Sequence, residues 1–100
     1  MNAPTQQDAN ARIEQIRLRL QHGLNPLSLD IVDESHKHAG HAGARDGRGH
    51  FRVRIVAAAF SGLPLIRRHQ RVYAALGDLM QTDIHALALE TRAPDDAGVS

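Results

Sequence analysis

An α+β fold, with helices packed on a small three-stranded mixed sheet in the order αββαβ, follows from three features of the sequence. Ile13, Ile16, Leu20 and Leu24 recur at helical spacing between polar residues. Residues 27–33 and 50–57 alternate apolar with largely polar side chains, the period of strands that bury one face. Residues 82–90 form the most apolar run of the chain, a final strand around which the other elements are expected to be arranged.

The first helix is expected over residues 9–24, with Thr5 or Asp8 capping its start. Asn25-Pro26 ends it, because proline has no N–H to donate and disfavours the helical conformation in the residue before it. The strand at 27–33 is expected to pair antiparallel with that at 50–57, where Phe51, Val53 and Ile55 point one way and His50, Arg52 and Arg54 the other. Between them, residues 35–49 form a loop longer than a hairpin requires, rich in Gly, Ala and His. After the Phe60-Ser61-Gly62 turn, Pro64 suits the first turn of a long helix. Its apolar stripe is Leu65, His69, Val72, Leu76 and Leu79 or Met80. The final strand then arrives by a helical crossover and should lie parallel to the strand it continues from. Ile84, Ala86 and Ala88 fall on one face and His85, Leu87 and Leu89 on the other, so this strand is expected to be buried from both sides, with His85 at its mouth. Residues 92–100 read as a polar tail with no core contribution, which bounds one domain at 9–92 between flexible ends, 1–8 and 93–100.

With 100 residues, 42% of them apolar, the chain makes one small domain. It has no cysteine, hence no disulfide framework and no thiolate ligand or nucleophile. No apolar run approaches the roughly 20 residues that span a bilayer, and Met1-Asn2-Ala3-Pro4-Thr5 lacks a basic and apolar leader pattern, so a cytoplasmic protein without membrane association is expected. Net charge is only +1, yet no acid lies between Asp46 and Asp78, where Arg48, Arg52, Arg54, Arg67, Arg68 and Arg71 all fall. A basic face of this kind suits phosphate or an acidic partner surface. Three aromatic residues, Phe51, Phe60 and Tyr73, supply too little stacking surface for single-stranded nucleic acid.

Five stretches in order resemble the BolA family: Val32-Asp33-Glu34-Ser35, His50-Phe51-Arg52-Val53, Phe60-Ser61-Gly62, the run 68–73 (Arg-His-Gln-Arg-Val-Tyr) and the run 84–89 (Ile-His-Ala-Leu-Ala-Leu). The resemblance covers about residues 12–92 and implies a fold similar to type II KH domains. It further implies partnership with a monothiol glutaredoxin around a bridging 2Fe-2S cluster and, in some members, DNA-binding transcription regulation. Carried over, the ligands are His85 and a loop imidazole, with His38 favoured and His36 and His41 as alternatives. His69 and Phe51 belong to family motifs as structural residues. Arg67, Arg68 and Arg71 are the candidates for docking a partner or nucleic acid.

The chemistry fits that implication. A 2Fe-2S cluster usually takes four thiolates, so a chain without cysteine is expected to carry no cofactor when isolated; alone, the chain is expected to be a monomer. Two imidazoles would complete a set begun by the glutaredoxin and its glutathione. Neutral imidazole is also released more easily on protonation than thiolate is, which suits hand-over or sensing. A true KH reader grips backbone with a GxxG loop between two helices, whereas Gly40-His41-Ala42-Gly43 lies between strands. A zinc site on His36, His38 and His41 would sit on a flexible backbone and bind weakly. Enzyme chemistry has the poorest support, since a Ser35, Asp33 and His triad would rest on a Gly-rich loop.

Overall fold

The computed structural model describes residues 6–35 and 49–96. The elements are α1 (Gln6–Leu24), β1 (Ser28–Asp33), β2 (Gly49–Val56), a 3-10 turn at Ala58–Phe60, α2 (Leu65–Leu76), α3 (Leu79–Thr82) and β3 (Ile84–Arg92). The sheet order is β1-β2-β3, with β1 antiparallel and β3 parallel to β2. The expected α+β class and mixed sheet are therefore present. The centre of the sheet, however, is β2, and β3 is an edge strand.

Helix α1 is described from Gln6, ahead of the expected residue 9, so Asp8 lies within the helix, and Thr5 lies outside the described residues. It ends as expected. Asn25 adopts the left-handed conformation (φ 48°) that asparagine tolerates at a helix C-terminus, donates its N–H to Gln21 O at 3.1 Å, and hands the chain to Pro26.

The expected long second helix is two helices. Gly77 breaks it with φ 57° and ψ −130°, a backbone closed to residues with a Cβ, and Arg19 from α1 donates to Leu76 O at 2.8 Å and pairs with Asp78 at 3.2 Å. A cation thus meets the C-terminal carbonyls of α2, where the helix dipole favours it.

Ile16 and Leu20 of α1, Phe51, Val53 and Ile55 of β2, Phe60 of the 3-10 turn, Val72 and Leu76 of α2, and Ile84 of β3 are buried together. Both helices cover one face of the sheet. On the other, Asp30, Arg52, Arg54, Ala86 and Ala88 are exposed. This corrects the two-sided burial expected of the final strand, whose alternation misleads because Ala is apolar enough to read as core and small enough to stand on an open face. Leu65, expected on the apolar stripe, is also exposed, in the first turn of α2.

The tail begins later than expected. Ala93 is fully buried, and the side chain of Asp96 accepts from Ala93 N at 2.9 Å and from both terminal nitrogens of Arg68, at 2.6 and 2.8 Å.

Candidate functional site

At the N-terminal ends of β2 and β3 the register is irregular: Gly49 pairs with Ile84, but His50 pairs with Ala86. An extra residue in one strand re-aims side chains. Here it separates His85 from the parity the sequence suggests. Ile84 joins the helix-facing side with Leu87 and Leu89, and His85 emerges beside His50, the two ring centroids 5.1 Å apart and tilted by 49°. His50 is buried and His85 exposed.

The turn that closes this end is built from the Asp33-Glu34-Ser35 motif. Ser35 N donates to Asp33 Oδ1 at 2.8 Å, Glu34 N donates to His50 O at 2.7 Å, and His50 N donates to Ser35 Oγ at 3.0 Å. Gly49 N donates to Asp83 O at 2.9 Å. Gly49 has no room for a side chain, because a Cβ would lie 2.7 Å from the Phe51 ring and 3.0 Å from Ser35 Oγ. Arg52 Nε donates to Glu34 Oε2 at 2.9 Å, which raises the pKa of the guanidinium above its ordinary value. Ser35 and Gly49, the described residues on either side of 36–48, therefore both stand beside His50.

His36, His38 and His41 lie outside the described residues, so the loop half of the expected ligand set has no geometry here. Among the described residues, no group of three or more His, Cys, Asp or Glu side chains could hold a metal ion. The rings of His50 and His85 are neighbours, 5.1 Å between centroids, with both ring nitrogens of His50 buried and His85 exposed. Sequence reasoning placed His50 in a family motif without a ligand role. The signal that could have found it is its own position, at the first residue after the loop.

The expected docking arginines separate. Arg68 turns inward, its Nε donating to Leu63 O at 2.8 Å and its terminal nitrogens gripping Asp96. That bidentate bond, aided by the Ala93 N–H, lowers the Asp96 carboxyl to about 2. Arg68 is therefore part of the architecture. Arg67 and Arg71 are exposed and line a groove of about 670 Å³ with Gly23, Leu24, Leu63, Pro64, Gln70, Ala74 and Ala75. Every other arginine among the described residues meets a carboxylate. Phe51 is buried, and His69 is half-buried in a shallow groove beside Leu65, Leu89 and Glu90.

A family profile described as BolA-like protein matches residues 20–96. The chloroplastic BOLA1 protein of Arabidopsis thaliana is 39% identical over 89 residues, covering 86% of this chain and 56% of that protein. A SufE-like protein of the same plant is 40% identical over 84 residues, 79% of this chain and 23% of the relative, so the chain spans about half or less of the length of these two relatives. The Escherichia coli protein named DNA-binding transcriptional regulator BolA is 37% identical over 78 residues, 78% of this chain and 71% of the relative. Among solved structures, the BolA domain of Arabidopsis SufE1 superposes with a TM-score of 0.74 at 37% identity, covering 84% of this chain and 93% of that one. Arabidopsis BolA1 superposes at 0.72 with 35% identity, over 86% and 95%. No helix among the described residues is long and apolar enough to cross a membrane.

Proposed function

The chain belongs to the BolA family, and on that premise we propose that it is a cytoplasmic partner of a monothiol glutaredoxin, co-ligating a bridging 2Fe-2S cluster for assembly, transfer or iron sensing. His85 is the strand ligand and His38 the loop ligand, with His36 and His41 as loop alternatives and His50 as a third candidate beside His85. One observation carries this reading: the strand irregularity brings His85 out next to His50, at the root of the histidine-bearing loop.

A shared cluster supplies electron-transfer chemistry, and replacing thiolate by neutral imidazole raises its potential. This chain contributes placement. Ring donors held by a strand keep their direction, and Ser35 and Gly49, the described residues that flank 36–48, both stand beside His50. Because each imidazole must be neutral to ligate, acidification displaces this chain before it displaces a thiolate.

The test is the visible spectrum after mixing with a cluster-loaded monothiol glutaredoxin. His85→Ala should remove the spectral change while the fold is kept. His38→Ala should weaken it in part, and replacing His36, His38 and His41 together should match His85→Ala. An unchanged spectrum with folded His85→Ala would discard the site.

A second reading, DNA binding in transcription regulation, is favoured by the name of the E. coli relative. It would use Arg67 and Arg71, since Arg68 is engaged with Asp96. Retention of duplex DNA that neither falls with salt nor changes in Arg67→Gln/Arg71→Gln would remove that surface from consideration.

A further inference from the structure

Arg67 and Arg71 stand one helical turn apart on α2 and, alone among the described arginines, meet no carboxylate. Their stripe continues through Gln70 to Ala74, along the groove of about 670 Å³ between α2 and the last turn of α1. The floor of that groove is apolar, made by Leu24, Leu63 and Ala75. It is also tightly built. The helices approach so closely at Gly23 that a Cβ there would lie 2.9 Å from that of Ala75. One turn to either side of Gln70 on α2, Ile66 and Tyr73 are exposed, at 65% and 41% of their surface.

We propose that this surface docks an acidic amphipathic helix of a protein partner, its apolar side chains in the groove and two carboxylates, one turn apart, on Arg67 and Arg71. Residues three or four apart on a helix have Cβ atoms about 5–6 Å apart, so a Glu pair at that spacing on the incoming helix matches the arginine pair. Arginine binds carboxylate through two parallel hydrogen bonds, which fixes the register of the helix. Small Ala74 and Ala75 admit a close neighbour at the far end of the stripe. Duplex DNA would use the two cations but leave the apolar floor and the exposed Ile66 and Tyr73 without partners. The surface lies toward the C-terminal ends of β2 and β3, away from His85, so a partner seated here leaves His85 accessible. The inference does not rest on the cluster reading, and its test uses metal-free protein.

The test is an amide NMR titration of the full chain with synthetic helices of about four turns. One carries a leucine face and Glu at i and i+4, a second has the same composition scrambled, and a third has Gln for Glu. The first should give saturable shifts at Gly23, Gln70 and Ala74, and the other two should bind at least about tenfold more weakly. Arg67→Glu/Arg71→Glu, both at exposed positions, should keep the fold, lose the Glu helix and gain a helix with Lys at the same places. Equal binding of the scrambled helix, no saturable shift, or charge-reversed protein that still binds the Glu helix would overturn the proposal. So would a short DNA duplex that moves the same amides at lower concentration.

Discussion

The two ends of the β2–β3 pair use charged and ionisable side chains in opposite ways. At the C-terminal ends, Arg68 is fixed by Asp96 and by the Leu63 carbonyl, so its charge is spent within the fold and holds the chain after β3 in place. At the N-terminal ends, a register irregularity brings two imidazoles together, one of them at the surface, beside the root of a long loop. The same residue chemistry therefore means different things according to what already meets it. A cation with a bidentate carboxylate is architecture, whereas an imidazole exposed at the end of an edge strand stands where an incoming group can reach it. Arg67, one residue from Arg68 but lining the groove against α1, belongs with the second kind.

The sharpest break of this comparison is at β3 itself. Leu87 is half-buried on the helix-facing side opposite Phe51, and Ala88 is exposed on the open side opposite Arg52. Leu87→Asp should cost roughly 2–4 kcal/mol, because a charge enters the core without a partner, and Ala88→Asp under about 0.5 kcal/mol. Urea midpoints check both. Equal losses would mean that β3 is buried from two sides after all.

Next in size is the packing that seats the imidazole end. Gly49→Ala places a methyl 2.7 Å from the Phe51 ring, an overpacking expected to cost about 1–3 kcal/mol. It should also move the ring resonances of His50 and His85 in NMR spectra. A variant as stable as the parent would show that the loop root is not tightly built.

The clamp gives a smaller, pH-dependent effect. Asp96 titrates near 2 in the fold, below the ordinary carboxylate range of about 3.9. Its stabilisation is therefore complete above about pH 4 and is lost as pH falls toward 2. Asp96→Asn and Arg68→Ala should lower the urea midpoint at pH 7, with the gap between Asp96→Asn and parent closing across that window. Arg67→Ala should leave the midpoint unchanged. A gap that persists at pH 2 would assign the loss to packing rather than to the ion pair.

The strands and helices were legible from periodicity because most of their apolar residues do reach the core. What misled was local. The Ala residues of β3 satisfied an apolar pattern without being buried. Gly77 lay inside a helical pattern that it breaks by its backbone conformation, a property no spacing reveals. Of the site, His85 was legible as the imidazole opening the last strand. Its proximity to His50 was not, since it depends on one extra residue in a parallel register, and neither was the inward turn of Arg68, which depends on an acid 28 residues away. The loop histidines lie outside the described residues.

The claim that the imidazole end ligates a shared cluster is tested most directly by pulsed EPR of the reduced mixed complex, formed with this chain labelled by 15N-histidine and an unlabelled glutaredoxin. Two strongly coupled 15N nuclei are expected, one of which disappears in folded His85→Ala. The other should disappear on replacing His36, His38 and His41 together, or on His50→Ala if that ring is the second ligand. A reduced cluster without 15N coupling, or with the same coupling in His85→Ala as in the parent, would contradict the claim.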